Sequence, residues 1–582
     1  MINNYTFFDL SKYSKKYDDN FPKYRLALLG DCATQHLAIV LKGCAYINRL
    51  SIEIFDGGYN QILPNIIDNN SQMYLFKPDA VLIYMCVENL YSVWCNTPVK
   101  DREDFAIKII SNIKECWNII SINSSAIILH FSFVEYNDFV FGNYACKHLS
   151  SFLYQLRKIN FLLMNECTEN KNVYLVDLNN IQAQAGRKNL FDPKLYYIAK
   201  MPLSLAVLPL VAGNVVSIIQ SLRGINKKCI ILDLDNTLWG GVIGDDGLAG
   251  IQIGELGPGF AYSEFQKWLK ELKNRGILLA VCSKNEEKIA KEPFEKHNEM
   301  ILRLEDFSVF VANWNDKVSN IRYIQQVLNI GMDSFVFIDD NSFERNMVSS
   351  IIPEIIVPNM PEDPAEYLQY LQSLNLFETT VYSVEDLNRT EQYRAEAKRE
   401  EIRQQYTNYN EYLQSLEMIA TAAPFDDFYL PRIAQLTQRS NQFNLRTIRY
   451  TESEISSLLE DPSRITLYFI LKDKLSDYGL VSTVILEKRN DKNLFIETWV
   501  MSCRVLKRGM EEFVMNKIFE TAENLGFKSV IGEYIRTQKN DIVANIYRLF
   551  NFAQENESIF IMNVNDYVKR ETFIKEIKNE SQ

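Results

Sequence analysis

Residues 228–241 constrain this chain more than any other stretch. They read Lys-Cys-Ile-Ile-Leu-Asp-Leu-Asp-Asn-Thr-Leu-Trp-Gly-Gly. The apolar run Cys229 to Leu232 has the character of a fully buried strand. It ends in two carboxylates, Asp233 and Asp235, on either side of Leu234. Residues two apart on a strand face the same way. At the carboxyl end both acids can therefore turn toward one crevice, where open parallel sheets bind ligands. Two close carboxylates resist joint ionisation unless a cation compensates. Mg2+ is a hard cation that takes carboxylate oxygens and suits the role. Read alone, Asp-x-Asp is equally a surface turn at a strand end.

Three later segments narrow the choice. Leu278 to Cys282 is a second apolar strand, ending in Ser283-Lys284-Asn285. Lys317 closes the run Asn313-Trp314-Asn315-Asp316-Lys317. Ser334 to Ile338 is a third strand, ending in Asp339-Asp340-Asn341. Singly, Ser283 reads as a helix N-cap and Lys317 as a solvated lysine. In this order the segments resemble the signatures of the haloacid dehalogenase-like (HAD-like) phosphatases, of which Asp-x-Asp-x-Thr is the first. The resemblance implies a Rossmannoid α/β domain with Asp233 as nucleophile and Asp235 as general acid/base. It also implies phosphate binding by Thr237, Ser283 and Lys317, and a Mg2+ site of Asp233, Asp235, Asp339 and Asp340. Those residue types suit phosphoryl transfer, which is largely positioning and charge neutralisation.

At 582 residues the chain is too long for one core. Its 47% apolar content argues for globular structure throughout. A net charge of −12 argues against general nucleic-acid binding. Met201 to Gln220 imitates a membrane span, but Pro202, Ser204, Pro209 and Asn214 break it, so it reads as a buried helix. No basic patch followed by an apolar stretch opens the chain, so no membrane or secretory signal is expected. Ten cysteines without Cys-x-x-Cys pairs fit a reducing, cytoplasmic setting better than zinc or disulfides.

We divide the chain into residues 1–222, 226–380, 381–409 and 410–582. The first segment alternates apolar strands (Tyr24 to Leu29, Ala80 to Tyr84, Ser125 to Leu129, Val173 to Val176) with helical patterns, the mark of a mainly parallel sheet. Its Gly30-Asp31-Cys32 resembles the Gly-Asp-Ser block of the SGNH hydrolases, implying a flavodoxin-type sheet with cysteine at the nucleophile's place. Asp192 lies where the family's Asp-x-x-His block is expected, but no histidine follows it. Cys32 is either a catalytic thiol, activated by the helix N-terminus that follows it, or a small buried hydrophobe. His36 stands one turn along that helix.

In the second segment only a turn region and one helix, Phe260 to Arg275, separate Thr237 from the Ser283 strand. That leaves room for a minimal cap, and an open site suits a large substrate. Trp239 and the Gly244–Gly247 turn are expected as a small flap at the rim. The third segment alternates Arg389, Glu391, Arg394, Glu396, Lys398, Glu400 and Arg403, and reads as a solvated linking helix. In the fourth, Thr466 to Leu471, Gly479 to Ile485 and Leu494 to Met501 are successive strands of an α+β domain. Met501-Ser-Cys-Arg-Val505 runs on through Lys507, Arg508 and Gly509 into a helix. This resembles the GNAT acyltransferase fold and implies an acyl or pantetheine site at Arg504, Lys507, Arg508 and Gly509, where a helix start could hold phosphate.

The three domains in this order resemble the FkbH-like proteins over nearly the whole chain. Residues 233–241, 313–317, 337–341 and 501–505 carry the likeness. The resemblance implies transfer of a glyceryl unit from 1,3-bisphosphoglycerate, or a similar phosphorylated small molecule, to an acyl carrier protein, with dephosphorylation. Such units feed polyketide-type assembly lines. Two alternatives stay open: a phosphatase on another carrier-bound or sugar phosphate, and a carrier-docking scaffold without catalysis.

Overall fold

The computed structural model describes residues 5–382, 389–403, 405–490, 492–537 and 539–577, without the side chains at 397, 400 and 401. Part of the expected linker, residues 383–388, and the Glu400 side chain lie outside that description. The chain divides into two compact units, residues 1–220 with 373–375, and residues 221–372 with 376–582. Among the described residues no helix is long and apolar enough to cross a membrane.

The first unit is built on five parallel strands: β1 Lys23–Gly30, β2 Ser51–Tyr59, β3 Ala80–Tyr84, β4 Ile127–Phe131 and β5 Val173–Val176. Their order is β2-β1-β3-β4-β5, the expected flavodoxin-type sheet. The order reverses between β1 and β3, which sets a ligand crevice beyond their carboxyl ends. The segment 201–220 is helical only from Leu208. Pro209 then falls in the first turn, where a missing N–H costs nothing.

In the second unit, four parallel strands come first: β6 Cys229–Leu232, β7 Leu278–Ser283, β8 Phe307–Ala312 and β9 Phe335–Ile338. Their order is β8-β7-β6-β9. Every residue of β6, β7 and β9 is buried, and each Ile or Leu so placed contributes about 1.5–3 kcal/mol. β6 lies between β7 and β9, so the loops after those three strands share one edge. A mixed sheet follows, of β10 Ile419–Ala423, β11 Arg464–Lys472, β12 Asp477–Lys488, β13 Asn493–Met501, β14 Ser529–Glu533, β15 Ala553–Gln554, β16 Ile559–Asn563 and β17 Lys575–Glu576. Its order is β15-β16-β14-β13-β12-β11-β10-β17. β10 to β13 are antiparallel neighbours, while β13 and β14 are parallel.

The helix Arg389–Arg403 is not the solvated linker its charges suggest. Thr390, Gln392, Tyr393 and Arg399 are buried. Tyr393 joins the core around β6, β7 and β9, and the helix packs on β7, β8 and the helix Lys317–Leu328. Its charges are satisfied across the unit instead of by water. Arg399 grips both oxygens of Asp473 at 2.8 Å and also donates to Ser476 Oγ and Glu396. Burial opposes ionisation of Asp473, but the Arg399 bonds hold its carboxyl below the ordinary range. Removing one partner of a buried pair strands the other charge. Arg399→Ala should therefore lower unfolding stability by about 3–5 kcal/mol, read as a fall in the denaturant midpoint; an unchanged midpoint would contradict this role.

Candidate functional site

The carboxyl ends of β6 and β9 place Asp233 and Asp339 side by side. The helix Lys317–Leu328 brings Lys317 between them. Asp316 caps that helix, accepting from Ser319 N at 2.8 Å, so Lys317 is its first residue. A cation there opposes the helix dipole, and the position is made tolerable by the acids it meets. Lys317 Nζ lies 2.8 Å from Asp233 Oδ2 and is paired with Asp339. All three side chains are almost wholly buried. Burial opposes the Lys317 charge, yet the two carboxylates hold its pKa well above the ordinary value. Burial and the Asp233 charge push Asp339 up to about 7, against the pull of Lys317. Burial also raises Asp340.

Carboxylate oxygens of Asp233, Asp339 and Asp340 lie within 4.8 Å of one another. Asp233 Oδ1 is buried with no hydrogen-bond partner. An orphaned oxygen among three acids is the setting a hard divalent cation fits. Arg345 secures this edge from behind by donating to the Asp339 and Asp340 carbonyls at 2.8 and 2.6 Å.

Two expected residues stand elsewhere. The Asp235 carboxylate is not in the acid cluster. Its Oδ1 accepts from Trp239 Nε1 at 3.0 Å and Ile243 N at 2.9 Å, and its Oδ2 from Asn285 at 3.2 Å. The chain turns after Asp235, with Asn236 at φ 53° and Gly241 at φ 91°, so the period-two geometry of a strand no longer applies. At Gly241 a side chain would need the left-handed region and meet Asp246 at 2.6 Å. Burial raises the Asp235 pKa. Thr237 does not present its hydroxyl for a phosphate; it donates to Asp340 Oδ1 and accepts from Asp340 N, both at 3.2 Å. Ser283 ends β7 and is buried, and its hydroxyl makes no hydrogen bond among the described residues. Trp239 is no flap either. It is fully buried, edge-on to Phe294 at 5.5 Å. Between Thr237 and β7 the chain forms only the helices Ile243–Gly250 and Gly257–Asn274, so the cap is minimal. Not singled out in the sequence as functional were Trp314 and Phe343, 76% and 68% exposed. Trp314 stands three residues before Lys317 and Phe343 three after Asp340.

At the β1/β3 crevice Cys32 is buried, 1% exposed. The helix after it starts at Gln35 with Thr34 as cap, so Cys32 lies outside the first turn and gains no thiolate stabilisation there. Burial, with Cys86 beside it, instead pushes the thiol well up. Asp31 accepts from Cys86 N at 2.9 Å and is pushed up to about 6 by burial. Asp31, Cys32 and Cys86 cluster within 4.8 Å. The adjoining cavity holds only about 10 Å³, room for one water. His36 is stacked on Phe7 at 5.1 Å, and Asp192 caps the helix Pro193–Ala199. These placements favour the small buried hydrophobe over the catalytic thiol.

The C-terminal residues divide. Arg508 is buried and paired with Glu396 and Tyr478. The start of the helix Met510–Asn524 is met by the chain's own acid, since Lys507 N donates to Glu511 at 2.8 Å. Gly509 caps it at φ 83°, its carbonyl accepting from Thr572. Lys507 is exposed. Beyond Ile496 and Gly532, where β13 and β14 part, residues 443–445 insert between them. Phe443 O accepts from Met501 N at 3.2 Å, and Leu445 O from Ile535 N at 2.9 Å. No phosphate cradle results at this helix start, and Arg504 lines a cavity elsewhere in the unit.

Residues 25–220 match the family model described as FkbH, N-terminal domain. The crystal structure of the N-terminal part of the protein BF1531 from Bacteroides fragilis, containing a phosphatase domain complexed with Mg, is 44% identical to this chain. It matches with a TM-score of 0.62 over 65% of this chain and 99% of its own. The ribosomal-protein-S18-alanine N-acetyltransferase from Escherichia coli is 12% identical, with a TM-score of 0.21 over 28% of this chain and 99% of its own. The spermidine N-acetyltransferase from Vibrio cholerae in complex with CoA and spermine gives 12% and 0.21, over 25% and 97%. Likenesses that distant say nothing about activity. No curated protein matches the chain.

The lysine-centred cluster makes its own prediction. Lys317→Gln leaves Asp233 and Asp339 facing each other without their cation. In the presence of chelator the variant should unfold about 3–5 kcal/mol more easily. An unchanged denaturant midpoint would show that the cation does not hold the acids together.

Proposed function

The chain belongs to the FkbH-like family, and from that premise we propose that it moves a glyceryl unit from 1,3-bisphosphoglycerate to an acyl carrier protein and removes the remaining phosphate. It carries a HAD-like phosphatase domain. The observation that carries the reading is Asp233 Oδ1, a buried carboxylate oxygen without a partner, beside Lys317.

In this reading Asp233 attacks phosphorus, and the phosphate-ester bond breaks as the P–O bond to Asp233 forms. Lys317 offsets the charge of nucleophile and phosphoryl oxygens. The Ser283 hydroxyl donates to a phosphoryl oxygen. Asp235, whose burial favours the protonated form, gives its proton to the leaving alcohol oxygen and then takes one from the water that cleaves the aspartyl-phosphate. Thr237 keeps Asp340 in place. Asp233, Asp339 and Asp340 would hold Mg2+, the metal named with the B. fragilis phosphatase domain. When bound, Mg2+ neutralises phosphoryl charge and orients the group. A cytoplasmic setting belongs to this reading, supported by ten cysteines that are all free.

The minimally capped mouth suits a phosphate carried on another protein. Exposed Trp314 and Phe343, each three residues from a member of the site, would give such a carrier apolar contact at the rim.

The test adds 1,3-bisphosphoglycerate and a phosphopantetheine-bearing acyl carrier protein to the purified chain, then weighs the carrier. A glyceryl thioester is expected. Asp233→Asn, or chelation, should leave the phosphate on the carrier-bound unit. Full dephosphorylation by Asp233→Asn would remove Asp233 from the reaction. Asp235→Asn should slow release by roughly 10²–10⁴-fold.

A second prediction concerns the rim. Trp314→Ala should raise KM for a carrier-bound phosphoglyceryl group and leave hydrolysis of free 3-phosphoglycerate unchanged. Equal effects on both substrates would contradict carrier docking there.

A further inference from the structure

Apart from the Asp233 site, one other cluster of metal-ligating side chains occurs among the described residues: Asp31, Cys32 and Cys86. It lies in the first unit, and nothing in the proposed reaction uses it. β1 and β3 are parallel neighbours that end in register, with Gly30 opposite Tyr84. Cys32 and Cys86 each stand two residues further on. The loops after the two strands thus bring both thiols to the point where the strand order reverses.

The ligand atoms of the three residues lie within 4.8 Å of one another. Around a tetrahedral zinc ion, sulfur and oxygen ligands stand roughly 3.3–3.8 Å apart, so the cluster needs little adjustment to close on one. Both cysteines are buried, at 1% and 2% exposure. Asp31 is half-buried and leaves a way in. Its carboxylate is already aimed: Cys86 N donates to Asp31 Oδ1 at 2.9 Å, and Asn89 Nδ2 donates to the Asp31 carbonyl at 2.8 Å. Asp31 N in turn donates to Tyr84 O at 3.1 Å. Outer bonds of this kind orient ligands before a metal arrives. Glu88 opens the helix Val87–Cys95. Its carboxyl is close enough to the Cys86 thiol to bond it, and it lines the cavity that admits one water. It stands at the fourth position.

Burial raises the pKa values of Asp31, Cys32 and Glu88 alike, so each is held toward its neutral form. A divalent ion supplies the charge that would let them ionise together. The donor set chooses which one. Soft thiolates select zinc, whereas the all-oxygen Asp233 site suits magnesium. No Cys-x-x-Cys marks the site in the sequence, because strand pairing and not a local loop joins the two cysteines.

We propose that Asp31, Cys32 and Cys86 bind Zn2+, with Glu88 completing the tetrahedron, and that the ion clasps the loops after β1 and β3. Each zinc–sulfur bond forms as its thiol gives a proton to solvent. A ligand needs no general base, which accounts for a cysteine where the resemblance puts a serine nucleophile, with no histidine after Asp192.

The full-length protein is stripped with a strong chelator, reloaded with zinc in excess Mg2+, desalted and analysed for metal. Stoichiometric zinc is expected in the wild type and in Asp233→Asn, and its loss in Cys32→Ser and Cys86→Ser. A second measurement needs no variant. Cobalt added to the stripped wild type should give the near-ultraviolet absorption of a cobalt–thiolate bond, and zinc should displace it. Zinc should also slow alkylation of Cys32 and Cys86 in peptide maps and leave that of exposed Cys95 unchanged. A wild type that retains no zinc overturns the inference, as do zinc held by Cys32→Ser as firmly as by the wild type and zinc lost from Asp233→Asn. Protection that maps to other thiols overturns it too, as does a Cys32–Cys86 disulfide in protein isolated with its thiols trapped.

Discussion

Lys317 is the fixed point of the catalytic half. Two carboxylates at the ends of adjacent parallel strands, buried and facing each other, are stable together only with a cation between them. The chain supplies it as the first residue of a helix, where the dipole alone would reject it. Neighbouring features follow from that arrangement. Thr237 is drawn to Asp340, Arg345 ties the backbone of the acid pair, and Asp233 keeps one oxygen free of hydrogen bonds. The site is thus held ready, with its electrostatics set before any substrate arrives.

The same logic governs the helix Arg389–Arg403. Its charges are paired to the C-terminal sheet through Asp473 and Arg508, and its apolar face enters the phosphatase-like core. The helix therefore joins the two sheets of the second unit as a packed element. A cavity of about 270 Å³ is lined from both sheets and from this helix.

The legible parts of the sequence were those where pattern and chemistry coincide. β6, β7 and β9 are short apolar runs ending in acids or Ser283, and the family resemblance that their order carries pointed to Asp233, Asp339 and Lys317. β2 escaped notice because it is an edge strand of mixed polarity ending in Gly57-Gly58-Tyr59. The Asp235 carboxylate and Trp239 were misplaced because a turn with positive φ at Asn236 rotates the chain out of strand periodicity. Cys32 looked activated because sequence locates a helix start only within a residue or two. The observed cap at Thr34 removes that help. The arginines of the 504–508 run looked equivalent, and only their tertiary partners separate Arg508, buried in an ion pair, from Arg504 in a cavity wall. Burial of alternating charges in the linking helix could not be read either, since charge pairs across long sequence separations leave no local pattern.

The central claim is that Asp233, Asp339, Asp340 and Lys317 form one phosphoryl-transfer site. Its most direct test is a crystal structure of the protein with Mg2+ and beryllium fluoride, which mimics a phosphoryl group on a carboxylate. The account predicts the fluoride adduct on the Asp233 carboxylate, Mg2+ held by Asp233, Asp339 and Asp340, and Lys317 against the adduct. An adduct on another residue, or Mg2+ bound away from these acids, would contradict it.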